Sequence, residues 1–303
     1  MTMRLAVTGV DGFVGRQVAR IAADRGHHVV GLTRSDDVEV PGVADVVTVD
    51  LTCEWPRMPP VDAIVHLAGL AAVGPSFDDP LRYITDNTAM AVHLCEALLR
   101  TPSPAPRVVA ASSGAVYAPS DRPIDESAPL AFDSPYAVSK GTVDNLLSYY
   151  QGRGLDTVVV RPFNHIGPGQ APGFLVPDLL EQLDALAPDE PLSVGNLEAE
   201  RDYTDVRDVA TAYVLLAEAP TLAHSAYNVA AGRARSGHEV LAAICAAMGR
   251  AVPSLRPGKR RPLDVPSVVG DATRLRRELA WTPRFDFEAS IEAAVAARVR
   301  AAA

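Results

Sequence analysis

The sequence predicts an α/β protein: a parallel sheet with helices on both faces and a smaller lobe attached towards the C-terminus. Three observations carry that expectation. Short β-rich runs alternate with longer helical stretches over the first half of the chain, a glycine triplet falls at the first strand-to-helix turn, and the alternation loosens after Pro162. At 303 residues, 48% hydrophobic and 21% charged, the chain has apolar material for one large core with an attached lobe, which excludes a disordered chain.

Taken in order, the apolar run Arg4–Thr8 leads into Gly9-Val10-Asp11-Gly12-Phe13-Val14-Gly15 and then a helical segment ending near Arg25-Gly26. In that loop Gly9 permits a tight turn, Gly12 lets backbone approach a pyrophosphate, and Gly15 allows helix to pack closely on strand. The helix N-terminus adds free amides and a partial positive charge for the anion. Further strands are expected at His28–Leu32, Val46–Asp50, Ala63–Leu67, Arg107–Ser112 and Thr157–Arg161, with helices at Asp79–Arg100 and Ser134–Gly152. Residues 1–162 therefore read as a doubly wound Rossmann domain that binds NAD(P).

Beyond it, the Pro/Gly-rich stretch 167–173 marks a departure from the sheet. Residues 163–303 are expected to form mainly the smaller lobe, with segments near 188–230 returning to the Rossmann sheet. Arg201–Asp205 and Ala226–Val229 read as strands that interleave with the sheet, followed by helices beginning near Val206 and Ser236. A ligand cleft between lobe and sheet edge follows. The alanine-rich end reads as a final helix.

A net charge of −9 weighs against nucleic acid as a partner, so phosphate binding has to be local. Cys53, Cys95 and Cys245 are too few and too scattered for a disulfide framework or a metal cluster, so no metal is expected and a reducing cytoplasm is the plain reading. No charged and apolar leader precedes the first strand, and no apolar run approaches the length needed to span a bilayer. No membrane association is expected.

Lys140 is one of only two lysines in a chain that otherwise uses arginine, and it stands four residues after Tyr136. On a helix that spacing places both side chains on one face. A compact ammonium can hydrogen-bond a ribose and favour a neighbouring phenolate, which a planar, permanently charged arginine does less selectively. Lowering a tyrosine pKa by about 3 units requires about 4 kcal/mol of selective phenolate stabilisation. A nearby lysine and an oxidised nicotinamide ring carry charge of the right sign.

The loop Thr8-Gly9-x-x-Gly12-x-x-Gly15, then Asp50-Leu51, His66-Leu67-Ala68, Asn87, Ser112-Ser113-Gly114-Ala115-Val116-Tyr117 and Tyr136-x-x-x-Lys140, occur in the order found in the extended short-chain dehydrogenase/reductase family, the NAD-dependent epimerase/dehydratase enzymes. The resemblance covers essentially the whole chain. Segments 161–169, 195–208 and 261–266 look most like the GDP-4-keto-6-deoxymannose reductases. The resemblance implies a proton-donating Tyr136, a Lys140 that holds the nicotinamide ribose and biases Tyr136, and a Ser113 that hydrogen-bonds the sugar carbonyl oxygen. It further implies cofactor contacts from Gly9, Gly12, Phe13, Val14, Gly15, Thr33, Arg34, Asp50, Leu51, Leu67, Ala68, Gly69, Asn87, Tyr136, Lys140 and Pro162. Nucleotide-sugar contacts are implied for Ser113, Asn164, Arg201, Arg261 and Asp264, the arginines gripping the diphosphate with a planar fork of donors. His66 and His165 read as structural.

Dehydratases of this family carry an acid/base carboxylate just after the active-site hydroxyl, where this chain has Gly114 and Ala115, so 4,6-dehydration ranks below reduction and epimerisation. Ser113, Tyr136 and Lys140 serve a reductase and a 4-epimerase equally. A non-catalytic NADP(H) sensor is a third reading, which retention of Tyr136 and Lys140 argues against. At the end of the second strand, Thr33 and Arg34 favour NADP(H), an arginine pairing with the extra phosphate; Asp36 or Asp37 in the acidic role on the ribose hydroxyls would instead select NAD. Gly69, where the family often has alanine, reads as a harmless departure. Ala118-Pro119, where glycine is usual after Tyr117, bears on sugar specificity. A homodimer through the helices near 79–100 and 134–152 is what the family implies.

Overall fold

The computed structural model describes residues 2–101, 104–187, 189–258 and 265–302. Strands β1 (Arg4–Thr8), β2 (His28–Thr33), β3 (Asp45–Thr48), β4 (Ala63–His66), β5 (Arg107–Ala111) and β6 (Thr157–Pro162) build a parallel sheet. The late strand β10 (Ala226–Val229) completes it beside β6, giving the order β10-β6-β5-β4-β1-β2-β3. The α/β doubly wound architecture expected from the sequence is the one observed. Strand limits move by a residue or two; the largest slide takes the expected Val46–Asp50 back to Asp45–Thr48.

Both faces of the sheet are covered, and the strands show why. Leu5 and Val7 of β1, Ala63 and Val65 of β4, and Val158 and Val160 of β6 enter one core, whereas Ala6, Ile64 and Val159 enter the other. Alternating residues on a strand point to opposite faces, so these unbroken apolar runs require a layer on each side. Helices α1 (Phe13–Asp24) and α6 (Val206–Glu218) cover the first face through Val18, Ala22, Val209 and Tyr213. On the second face α3 (Pro80–Leu99) and α4 (Pro135–Gly152) bring Leu94, Leu98, Val143 and Leu147. Each fully buried leucine of this kind contributes about 1.5–3 kcal/mol.

Helix starts are written locally. Asp79 caps α3 by accepting from Arg82 N–H, and Ser134 caps α4 by accepting from Ala137 N–H, each followed by a proline at the first helical position. A four-residue helix, α2 (Val73–Ser76), lies between β4 and α3.

The second lobe is organised by β9 (Glu200–Asp205), which pairs with β7 (Asn164–Ile166), β11 (Ala234–Ser236) and β13 (Ser267–Val268). β8 (Leu192–Val194) pairs separately with β12 (Leu255–Pro257). Helices α5 (Leu175–Ala185), α7 (Gly237–Ala247) and α9 (Phe287–Ala302) close a third core around Leu179, Leu183, Leu241, Ile244 and Ile291, while α8 (Thr273–Leu279) packs by β10. The expectation that Arg201–Asp205 interleaves with the large sheet is corrected here. This strand forms the centre of its own small sheet, where Asp202 to Asp205 are buried in succession and the two aspartates meet partners in the second lobe rather than the apolar layers of the large sheet. Ala226–Val229, nearly all apolar, does join the large one.

Candidate active site

From β1 the chain turns towards β2, and from β4 towards β5 on the other side, so the ends of β1 and β4 border the crevice where strand order reverses. Gly9 leaves β1 at φ +62°, and a methyl group there would lie 3.1 Å from the backbone of Ala68 at the end of β4. A methyl at Gly15 would run into the Gly9 carbonyl. Gly12 starts α1 without a side-chain cap, and no acidic residue occupies the first turn, so the helix end keeps amides and positive potential for an anion. The cradle therefore fits a dinucleotide pyrophosphate: each glycine stands where a side chain would fill it.

The β1 and β4 exits are locked to each other. Thr8 Oγ accepts from the amides of both Leu67 and Ala68 at 3.0 Å and lies 2.9 Å from His66 Nδ1. Two acceptor sites on a hydroxyl leave its proton for His66, which fixes the histidine hydrogen on Nε2. Burial pushes the His66 pKa down to about 3, with the Lys140 charge adding to the effect, so the ring is neutral. Thr33 is buried at the end of β2 and accepts from Ser35 N–H, while Arg34 is exposed beside it. Asp50, also exposed, accepts from the Thr52 hydroxyl and amide and is thereby held below the usual carboxylate range; Leu51 is buried.

Around the end of β5, Ser113 from the turn after that strand meets Tyr136 and Lys140, both from α4. Ser113 starts the short 3₁₀ turn Gly114–Val116 and accepts from Ala115 N–H at 3.1 Å. Tyr136 sits in the first turn of α4 and is 8% exposed. Burial pushes its phenol up, and a hydrogen bond with Ser113 draws it back down. Lys140 is buried, donates from Nζ to the Ala111 carbonyl at 3.0 Å, and is brought down by burial to about 8 against the opposing pull of Asp144. The phenol stands above its ordinary value, and the neighbour that lowers it is Ser113.

Asn87 of α3 is committed within the protein. Its Oδ1 accepts from Leu70 N–H at 2.8 Å, and its Nδ2 donates to the Leu70 carbonyl and to Ser139 Oγ. It fixes the loop that carries Gly69. A methyl at Gly69 would stand 3.0 Å from Asn87 Oδ1 and in ordinary contact with Lys140 Nζ at 3.4 Å, so the neighbour it would press is Asn87.

Behind Lys140 lies a polar network that the sequence reading missed. Arg161 of β6 donates from Nε to Asp144 Oδ2 at 2.9 Å and from Nη1 to the Tyr117 hydroxyl at 2.9 Å, and Tyr117 donates to Asn228 Oδ1 at 2.7 Å. All four residues are buried. The available signal was the spacing from Lys140 to Asp144, one further helical turn on the same face.

Towards the second lobe, Pro162 is buried at the end of β6 and Asn164 is exposed on β7. His165 stacks on Phe13 of the glycine loop, ring centres 5.8 Å apart, and donates from Nδ1 to the Phe163 carbonyl. Arg201 on β9 donates to the Val265 carbonyl at 2.8 Å, next to the segment 259–264. Arg261 and Asp264 lie outside the described residues. Among the described residues no group of three or more histidines, cysteines or carboxylates is placed to hold a metal, and no helix is long and apolar enough to cross a membrane.

A profile of the NAD dependent epimerase/dehydratase family matches residues 5–230. The chain is 33% identical to a GDP-6-deoxy-D-mannose reductase of Pseudomonas aeruginosa, over 97% of this chain and 96% of that protein. It is 32% identical to a UDP-glucose 4-epimerase of Azospirillum brasilense, over 93% and 88%. Among solved structures, it resembles a Thermus thermophilus UDP-glucose 4-epimerase in complex with NAD, at TM-score 0.84, 28% identity and coverage of 97% and 98%. It also resembles RMD from Pseudomonas aeruginosa complexed with NADPH, at TM-score 0.83, 29% identity and coverage of 98% of each chain.

Proposed function

The chain belongs to the NAD dependent epimerase/dehydratase family, and on that premise we propose that it is a nucleotide-sugar reductase acting on the 4-keto group of a GDP-linked 4-keto-6-deoxyhexose. That it is an enzyme using a nicotinamide cofactor on a nucleotide sugar rests on the family and on relatives that are reductases and epimerases. The observation that carries the chemistry is the convergence of Ser113, Tyr136 and Lys140 at the end of β5. Support for reduction comes from similarity to GDP-6-deoxy-D-mannose reductase along nearly the full length of both chains.

A nicotinamide cofactor, when bound, supplies the hydride. Gly9, Gly12 and Gly15 would cradle its pyrophosphate with the amides of Phe13 and Val14; Thr33, Arg34, Asp50 and Leu51 would surround its adenosine half, and Leu67, Ala68, Gly69 and Pro162 its approach to the sheet. Asn87 acts through the Gly69 loop it holds. Lys140 would donate to the nicotinamide ribose. Tyr136, kept protonated by burial, gives its proton to the sugar carbonyl oxygen as that oxygen gains charge, and Ser113 donates to the same oxygen. Gly114 and Ala115 have no side chain that can shuttle a proton, which ranks dehydration below reduction. Residues 163–303 form, in this reading, mainly the sugar-binding lobe, with α6 and β10 returned to the large sheet, and Asn164, Arg201, Arg261 and Asp264 on the nucleotide diphosphate and sugar.

Arg34, exposed at the end of β2, favours NADP(H). Arg34→Asp is expected to lower the NADPH-over-NADH preference in kcat/KM at least about tenfold, or about 1.4 kcal/mol; an unchanged ratio removes Arg34 from the site. Homodimerisation through α3 and α4 is supported by exposed Leu81 and Tyr149 on those helices and is read by sedimentation. Cys53, Cys95 and Cys245 are free thiols, which supports a place in the cytoplasm.

The deciding test is loss of NADPH absorbance on addition of GDP-4-keto-6-deoxymannose, beside NADH, the dTDP-linked analogue and Tyr136→Phe. Stoichiometric oxidation that requires Tyr136 is expected. No oxidation, with tightly bound NAD(P)+ released on denaturation, moves the assignment to a 4-epimerase, the second reading that similarity to UDP-glucose 4-epimerases favours.

A further inference from the structure

Lys140, Asp144 and Arg161 form a buried row of alternating charge, one carboxylate between two cations. Lys140 and Asp144 are 6% and 7% exposed and stand one helical turn apart on α4; Arg161 reaches Asp144 from β6 at 2.9 Å. Arg161 is itself held, by the Tyr117 hydroxyl at 2.9 Å and by the Tyr117 ring beneath its guanidinium at 5.0 Å. Tyr117 is held by Asn228, whose amide donates to the Ile124 and Asp271 carbonyls. The row is therefore fixed from the catalytic helix through the sheet to backbone on its far side.

A buried ion pair is a weak source of stability, because desolvation offsets much of the attraction and well-packed apolar side chains serve as well or better. Its place one turn behind Lys140 has a better account. We propose that Asp144 is a positioning residue for the reaction: it is the buried countercharge that keeps Lys140 an ammonium, and Arg161 keeps Asp144 ionised and aimed at it.

The inference rests on the reading that Lys140 works as a charged donor to the cofactor. An amine removed from water loses its proton easily, and among the described residues the hydrogen-bond acceptor of the Lys140 ammonium is a backbone carbonyl, that of Ala111. Among the described residues, the titratable and charged groups facing this row are His66 from β4, which is neutral, Tyr83 from α3, Tyr136 from α4 itself, Tyr117 after β5 and Arg161 from β6. The next carboxylate, Glu126, lies beyond Tyr117, accepts from Asn228 N–H and is paired with Arg274, so Asp144 is the carboxylate that acts on Lys140. Burial raises Asp144 as well, and the charges of Arg161 and Lys140 oppose that rise, so carboxylate and amine hold each other charged.

The test measures NADPH affinity from pH 6 to 10 by nicotinamide fluorescence in the full-length protein, for wild type, Asp144→Asn, Asp144→Glu and Lys140→Met, with far-UV circular dichroism to confirm folding. Wild type is expected to lose affinity with a midpoint near the Lys140 pKa of about 8. Asp144→Asn should move that midpoint down by about 1 unit or more, and Asp144→Glu should restore it. Lys140→Met should abolish the midpoint. A uniform loss of affinity in Asp144→Asn with the midpoint unmoved would make Asp144 merely structural and overturn the inference while leaving the role of Lys140 intact. Persistence of the wild-type midpoint in Lys140→Met would remove the role of Lys140, and the inference with it. If Asp144→Asn does not fold, Asp144→Leu with Arg161→Met leaves no unpaired charge in the core, and an unmoved midpoint there overturns the inference equally.

Discussion

Asp144 and Asp202 are both buried carboxylates, one in each half of the molecule, and they are satisfied in opposite ways. Asp144 meets side chains that carry charge, Arg161 by hydrogen bond and Lys140 through space. Asp202 meets backbone: it accepts from the amides of Ala231 and Gly232 beyond β10 at 2.9 and 2.8 Å, and from Gly270 beyond β13 at 3.2 Å. Amides do not titrate, so Asp202, whose pKa burial raises and these amides and the Arg276 charge hold down, ties three segments together without a titrating hydrogen-bond partner. The row at Asp144 is made of groups whose protonation states depend on one another. Buried charge is thus an instrument of chemistry behind the sheet's reactive end and an instrument of architecture in the second lobe.

The contrast is broken most directly at Tyr136. Tyr136→Phe removes one hydroxyl and no packing, and is expected to lower turnover about 10²- to 10⁴-fold with the thermal midpoint unchanged. A variant that kept wild-type turnover would take the proton-donor role from this end of the sheet. The converse substitution is Asp202→Asn, which sets an amide donor against backbone donors. It should cost about 2–3 kcal/mol in denaturant unfolding while the folded fraction keeps its pH profile. A displaced profile would mean that the second lobe's carboxylate also tunes chemistry. Gly15→Ala acts through space alone: its methyl meets the Gly9 carbonyl, so about 1–3 kcal/mol of stability and most cofactor affinity should be lost together, as read by melting with and without NADPH.

What was legible in the sequence was local. The glycine turn, the period-2 apolar strands and the pairing of Tyr136 with Lys140 are written within a few residues of one another, and α3 and α4 announce their starts with Asp79-Pro80 and Ser134-Pro135. Groups that join distant segments were not legible. Nothing near residue 144 names Arg161 as its partner, and nothing near 87 says that the Asn87 amide is consumed by Leu70 and Ser139. Nothing near residue 202 says that Asp202 will meet the amides of residues 231, 232 and 270.

The smallest effect is read on the unaltered protein. A lysine is charged below its pKa, so Lys140, brought down by burial to about 8, loses its ammonium as pH rises through that value. Tyr136 is pushed above its ordinary phenol range and remains an acid there, and His66, at about 3, has long been neutral. Carbonyl reduction should therefore fall above about pH 8 because of the lysine, about twofold at the midpoint and about tenfold one unit higher. In Asp202→Asn that limb should stay where it is, since no titrating side chain bonds this carboxylate. A limb set by the phenol instead would lie two or more units higher, and rate against pH at saturating NADPH separates the two: activity held to pH 10 would assign the reactive end's charge to Tyr136 alone and leave the buried row at Asp144 as architecture, like its counterpart in the second lobe.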